Sequence, residues 1–258
     1  FAMDLGLKGK RAIITGGTRG IGRAIAETLA AEGASVAICA RKQDEIDEAV
    51  AALKAKQVNA FGGVADIANA EALKAWVGKA IGQLGGLDVL VCNASGFGNG
   101  NSEQAWKQGF DVDVMGAQRA AVAAMPELEK SAAATGDAAI IIISSVSAAE
   151  TSNANAYGAL KAAQIHFAKG LAKEKAGKHV RVNVVSPGTV YFEGGVWHRI
   201  EQGAPDMFKA SFARNPMGRM ASPQDIANAT VFLASPASSF TTGVNLVVDG
   251  ALTGRVNF

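Results

Sequence analysis

The stretch Arg11-Ala12-Ile13-Ile14-Thr15-Gly16-Gly17-Thr18-Arg19-Gly20-Ile21-Gly22 decides how the rest of the chain is read. An apolar, β-rich run ends in closely spaced glycines and passes straight into Ile21 to Ala31, whose apolar residues recur at helical spacing. Gly33 follows, where a positive φ can end a helix. Glycines let a backbone approach a ligand closely, and the free N–H groups and positive end of a first helical turn stabilise an anion. At the first strand-to-helix junction this predicts a cradle for the pyrophosphate of a dinucleotide, lined by Gly16, Thr18, Arg19, Gly20 and Ile21.

Outward from that junction, short β-rich runs alternate with longer amphipathic ones. Arg11–Thr15, Ser35–Ala40, Asn59–Val64, Leu87–Cys92, Ala138–Ser144, Val180–Ser186 and Val244–Val248 read as strands, and the segments from Ile21, Gln43, Ala70, Glu103 and Ala154 as helices. Ala139 to Ile143 is apolar throughout, as a parallel strand covered on both faces must be. Repeated β–α–β units cross over right-handed. The expected fold is therefore α/β, a doubly wound, mostly parallel seven-stranded sheet of Rossmann type, in one domain over residues 1–258. Ligands of such sheets gather beyond the strand C-termini where the strand order reverses. Only residues 189–217 break the rhythm, and they are expected to form a helical lid over the site.

Composition excludes several other classes. Hydrophobic residues make up 49% and charged residues 19% of the 258, a balance that suits a globular chain better than a disordered one. A formal net charge of +2, with acids and bases interspersed between Arg41 and Lys56, offers no basic surface for nucleic acid. No apolar run approaches the roughly 20 residues that span a bilayer, and the start lacks the pattern of a signal peptide, so a cytoplasmic location is expected. Phe1 to Met3 read as remnants of expression rather than as part of the fold. Cys39 and Cys92 lie inside apolar runs without metal-ligand spacing, and core packing is their expected role. No metal site is expected.

Tyr157-Gly158-Ala159-Leu160-Lys161 places a phenol and an ammonium one turn apart on one helix face. A nearby ammonium favours the phenolate of a tyrosine, whose free pKa is about 10, and brings it toward the range useful for acid–base work. The TGxxxGxG spacing of the first junction, this YxxxK, Asn183-Val184-Val185-Ser186-Pro187-Gly188 and Val247-Val248-Asp249-Gly250 together resemble the short-chain dehydrogenase/reductase family, in particular its 3-oxoacyl-carrier-protein reductases. The resemblance covers nearly the whole chain.

It implies Tyr157 as general acid or base, Lys161 as its partner, and a serine at the end of the fifth strand that hydrogen-bonds the substrate oxygen. Ser145 is favoured, because the strand end fixes geometry better than the loop Ala148–Asn155. Its distance to Tyr157 is nevertheless one residue short of the family's usual spacing, which points to Ser144. Where the family commonly has Asn, Val112-Asp113-Val114 carries Asp113, which is expected either to hold water between Lys161 and solvent or to be solvated or paired on its helix. Cys92-Asn93-Ala94-Ser95 keeps only the Asn-Ala centre of the family's NNAG motif, so Asn93 and Ala94 are expected beside the cofactor.

Cofactor choice is read at the end of the second strand, where NAD-specific relatives place an acid. Here Arg41 stands there, and with Arg19 it suits a 2′-phosphate, so NADP(H) is expected rather than NAD(H). Asp66 and Ile67 resemble the adenine-binding pair, and Pro187, Gly188 and Val190 complete the expected cofactor contacts. Phe192 stands where the family commonly has a Thr that bonds the carboxamide, a bond Phe192 cannot make. Trp197, Met207, Phe208 and Phe212 offer an apolar lid face beside Gly194 and Gly195, His198 reads as a surface residue, and Ser95 to Asn101 form the opposite rim.

The expected reaction interconverts a small-molecule carbonyl and a secondary alcohol, with a homotetramer or homodimer implied by the resemblance. Reduction of a conjugated double bond, or a nicotinamide-binding regulator with little turnover, are the alternatives.

Overall fold

The computed structural model describes residues 4–97, 100–151 and 153–256; Phe1 to Met3, and Gly98 and Asn99 of the expected rim, lie outside these. β1 (Arg11–Thr15) is an interior strand of a seven-stranded parallel sheet, bonded to β2 (Ser35–Ala40) on one side and β4 (Val89–Cys92) on the other. With β3 (Ala60–Val64), β5 (Ala138–Ile143), β6 (Val180–Pro187) and β7 (Asn245–Val248), the order is β3-β2-β1-β4-β5-β6-β7. The order reverses between β1 and β4, so a crevice opens above Thr15 and Cys92, where ligands of doubly wound sheets bind.

Side chains alternate across a strand, and the two faces of the sheet bury two separate cores. Ile13, Leu90, Ile140, Ile142 and Val182 face α3 (Ala70–Leu84), α5 (Gly116–Thr135) and α6 (Ala156–Lys175). Ile14, Val36, Ile38, Val91 and Ile141 face α1 (Gly20–Ala31), α2 (Gln43–Lys54) and α9 (Pro223–Ala234). Cys39 and Cys92 belong to the first core, and burial pushes both thiols up to about 12.

Several boundaries differ from the sequence reading. β3, β4 and β7 begin one or two residues later, β5 stops before Ser144, and β6 runs on to Pro187. α6 starts at Ala156 rather than Ala154 because the Asn155 side chain accepts the Gly158 N–H at 2.8 Å and caps it there. The segment from Glu103 is not one regular helix: α4 (Glu103–Gly109) passes through a π-helical stretch, Phe110–Met115, before α5. α9, closed by a Ser222–Asp225 capping box, went unread. Residues 189–217 contain α7 (Val196–Gly203) and α8 (Pro205–Ala213). No helix among the described residues is long and apolar enough to cross a membrane.

Candidate active site

Above the β1–β4 crevice, the glycine loop is tied to the end of β4. Asn93 Nδ2 donates to the carbonyls of Thr15 (3.1 Å) and Gly16 (2.9 Å), and Thr15 Oγ1 accepts from the N–H groups of Asn93 (3.0 Å) and Ala94 (3.2 Å). A Cβ on Gly22 would lie 2.1 Å from the Gly16 carbonyl, so no side chain fits where the loop folds back on α1. Arg19 caps α1 in an extended conformation, and the N–H groups that follow have no side-chain cap. The cradle is thus rigid, open and of the polarity that suits a pyrophosphate.

The other expected cofactor residues ring this loop. Arg19 and Arg41 are exposed, and neither forms an ion pair among the described residues. Thr18 Oγ1 is bonded to Glu45, whose carboxyl is held below the usual range chiefly by the Lys42 ammonium. Asp66 is exposed and its Oδ1 accepts from the Ala68 N–H, which shapes the turn after β3. Ile67 and Val190 are buried, Val190 bridging to Ala221. Gly188 lies so close to Asp249 that a Cβ would fall 2.8 Å from the Asp249 Cβ, joining the end of β6 to the residue after β7. The open cradle and two unpaired guanidinium groups fit a dinucleotide carrying an extra phosphate.

Tyr157 and Lys161 lie one turn apart in α6. Gly158 lets that helix start hard against the turn after β5, since a Cβ there would sit 2.6 Å from the Ser147 carbonyl. Lys161 is 2% exposed, and its Nζ donates to the Ile143 carbonyl at 3.0 Å. The same Nζ lies 5.6 Å from the centre of the Tyr157 ring and 2.9 Å from Asp113 Oδ1. That last contact is an ion contact without hydrogen-bond alignment.

The two serines part company here. Ser144 Oγ donates to the Lys161 carbonyl at 2.9 Å and is occupied by that bond. Ser145 Oγ accepts from the Ser147 N–H at 3.1 Å, and its own proton has no acceptor among the described residues.

Asp113 is not solvated, the second of the two expectations for it: it is 2% exposed and touches the lysine directly. Its Oδ2 accepts the Gly96 N–H at 2.9 Å, and its carbonyl accepts from Gln164 Nε2 at 2.6 Å. Gln164 and Phe97 escaped the sequence reading as individual residues. Gln164 lies three residues beyond Lys161, but glutamine has no spacing signature, and the Phe97 ring, 6.1 Å from that of Tyr157 and inclined 11° to it, reaches the site only through tertiary folding.

The lid joins the cradle at Phe192, whose ring lies within 2.5 Å of where a Gly20 Cβ would stand. Thr189 Oγ1 donates to Asn215 Oδ1 at 2.7 Å and ties the lid's two ends together. His198 is half-buried at the surface, and its Nδ1 accepts the Gly194 N–H at 3.1 Å. Tyr191 packs edge-on against His198 and Phe208, and its hydrogen bond to Glu201 raises its pKa. Met207 and Phe212 are exposed, whereas Trp197 and Phe208 are half-buried.

The sheet, the cradle and the Tyr157–Lys161 pair define an oxidoreductase built on a dinucleotide-binding fold. A family profile described as enoyl-(acyl carrier protein) reductase matches residues 16–253. Isoepoxydon dehydrogenase of Penicillium expansum is 37% identical over 257 residues, with 98% of each chain covered. Among solved structures, L-sorbose reductase from Gluconobacter frateurii complexed with NADPH and L-sorbose superposes with a TM-score of 0.89 at 32% identity, covering 98% of this chain and 100% of that one. A short-chain dehydrogenase from Burkholderia cenocepacia in complex with NADP gives 0.86 at 31%, covering 95% and 98%. The chain belongs to the short-chain dehydrogenase/reductase family.

Proposed function

We propose that the protein is an NADP(H)-dependent oxidoreductase that interconverts a carbonyl and a secondary alcohol, with Tyr157 as general acid and base. The observation that carries this reading is the buried Lys161 ammonium held 5.6 Å from the Tyr157 ring; the Ser145 hydroxyl after β5, whose proton has no acceptor among the described residues, supports it. NADP(H), held by Gly16, Thr18, Arg19, Gly20, Ile21, Arg41, Asp66, Ile67, Asn93, Ala94, Pro187, Gly188 and Val190, would supply the hydride. In the reductive direction Ser145 donates a hydrogen bond to the carbonyl oxygen, and Tyr157 gives that oxygen its proton. The Lys161 ammonium stabilises the negative charge left on the phenol oxygen. The solved relatives carrying NADP or NADPH, and the unpaired Arg19 and Arg41, support the choice of cofactor.

A panel of ketones and alcohols, assayed with NADPH and NADH in parallel, tests the reading. Turnover should depend on NADPH, and Tyr157→Phe should lower kcat by about 10²-fold or more while cofactor binding persists. Cofactor binding without turnover of any carbonyl would overturn it in favour of a regulator. The description of the matching family favours a second reading, reduction of a conjugated double bond. An enone in the panel decides between them, because the product is either an allylic alcohol or a saturated ketone. Assembly as two or four copies belongs to the same proposal and is supported by apolar side chains left in solvent, among them Phe240 and Val122. A monomer mass from light scattering would remove it.

A further inference from the structure

Among the described non-glycine residues of the β4–α4 loop, Phe97 alone has a positive φ. Its φ is +44°, a left-handed conformation that is strained for a bulky residue and persists only where the surroundings impose it. Those surroundings can be named. The preceding Gly96 N–H donates to Asp113 Oδ2 at 2.9 Å, the Phe97 N–H donates to Ser95 Oγ at 3.2 Å, and the Phe97 ring stacks on Tyr157. Half of the Phe97 surface, 50%, remains open.

Asp113 links this loop to the lysine. One oxygen lies against the Lys161 ammonium and the other accepts the Gly96 N–H, so a single buried carboxylate joins the lysine of α6 to the loop after β4. An asparagine has one acceptor oxygen and would leave one of them unserved. The π-helical stretch around Asp113 and the bond from Gln164 to its carbonyl fix where that carboxylate sits.

We infer that Phe97 is a specificity-determining residue of the Tyr157 site, and that Asp113 is the positioning residue that keeps it against the Tyr157 ring. The inference rests on the oxidoreductase reading given above. An aromatic ring fixed on the acid–base residue, with half its surface still open, offers a flat apolar wall beside the reacting oxygen. The substrates it favours are carbonyl compounds with a planar ring or unsaturated group next to the reacting carbon, since such a group covers the open part of the ring.

Two measurements test the two halves. For Phe97, kcat/KM is compared between an aryl ketone and a small aliphatic ketone. Phe97→Ala should lower the aryl-to-aliphatic ratio about tenfold, and Phe97→Tyr should restore it. A ratio that does not change with Phe97→Ala overturns the specificity role. For Asp113, amide hydrogen exchange is followed at Gly96. Asp113→Asn should speed it at least tenfold and lower the same ratio, and unchanged exchange overturns the tie. Gly96→Ala gives a second route if Asp113→Asn fails to fold, because its Cβ would press on the Gln108 carbonyl and Val112 at 3.3 Å and lie 3.4 Å from Asp113 Oδ2, loading the tie from the loop side with the carboxylate retained. Unchanged exchange at residues 96 and 97 in that variant also counts against the tie. If the wild-type protein turns over no carbonyl, the proposed reaction fails and the specificity role with it, whereas the exchange experiment still decides whether Asp113 anchors the loop.

Discussion

At the N-terminal ends of the strands, Arg11 and Arg181 are occupied by the chain itself; at the C-terminal ends, Arg19 and Arg41 form no ion pair among the described residues. Arg181 meets Asp137 through Nε at 2.6 Å and through a second nitrogen at 3.1 Å, and its remaining N–H groups bond the carbonyls of Leu233 and Ser235 at the end of α9. Arg11 grips Asp88 through Nε at 2.7 Å and through its own backbone N–H at 2.8 Å, and Ser131 donates to the same carboxylate. A guanidinium whose three nitrogens each bond a group of the protein holds helix ends and strand starts together. One left in water beside a glycine cradle has its donors available to a ligand. The Lys161–Asp113 pair is the instructive exception: it is more buried than the pairs at the opposite end, yet it lies among the groups proposed to move a proton.

The largest effect expected from this contrast is on stability. Arg181→Ala leaves the Asp137 carboxylate and the carbonyls of Leu233 and Ser235 without partners, and should cost about 3–5 kcal/mol in urea unfolding. Arg41→Ala should stay within about 0.5 kcal/mol of wild type. A cost below about 1 kcal/mol for Arg181→Ala would break the comparison.

The second prediction concerns pH. Burial works to raise the Asp88 carboxyl, but the hydrogen bonds from Arg11 and Ser131 outweigh it, and its pKa falls below the usual aspartate value. A depressed native value means the contribution is complete above the unfolded pKa of about 3.9 and is lost as pH falls through the native one. Asp88→Asn should therefore cost about 2 kcal/mol at pH 7. The difference from wild type should shrink as the pH drops below about 4. A gap that stays constant down to pH 2 would mean that Asp88 is not the group that titrates.

Smaller still is the expected effect at the open end. Arg19→Ala and Arg41→Ala should each reduce the preference for NADPH over NADH about tenfold, roughly 1.4 kcal/mol, because each removes a charge-assisted contact to a phosphate. Titration of each variant with both cofactors measures this. Equal losses for the two cofactors would turn the arginines into general anion attractors and leave the 2′-phosphate unread.

How much of this was legible in the sequence follows from how local each signal is. The strand-to-glycine-to-helix junction at Thr15–Gly22 and the i, i+4 pair Tyr157–Lys161 are set by neighbours in the chain, and both appear in space as read. The strands are legible as short apolar runs, unbroken and fully buried in β4 and β5 and continuing around Arg181 and Asn183 in β6. What could not be read depends on distant partners. The bond from Ser144 to the Lys161 carbonyl, which sets the two serines apart, is one that no spacing rule reveals. The link from Asp113 to Gly96 joins residues seventeen apart across a π-helical stretch, a distortion that local propensity does not specify. The ion pairs below the sheet join residues 77 and 44 positions apart, and in sequence they look like ordinary surface charges.

The smallest predicted effect sharpens the contrast from the other side. Cys39 and Cys92 flank Thr15 on the two strands next to β1, within one residue of the cradle, yet they point into the layer covered by α3 and α5. With both thiols pushed up to about 12, almost no thiolate exists at neutral pH, and the thiolate is the species that alkylating reagents attack. The native protein should therefore remain unlabelled by iodoacetamide at pH 7.5, and the same two residues should react once urea unfolds it. Rapid labelling of either in the native state would show that this face of the sheet opens beside the cradle, and the rigid floor ascribed to the C-terminal end of β1 would then be wrong.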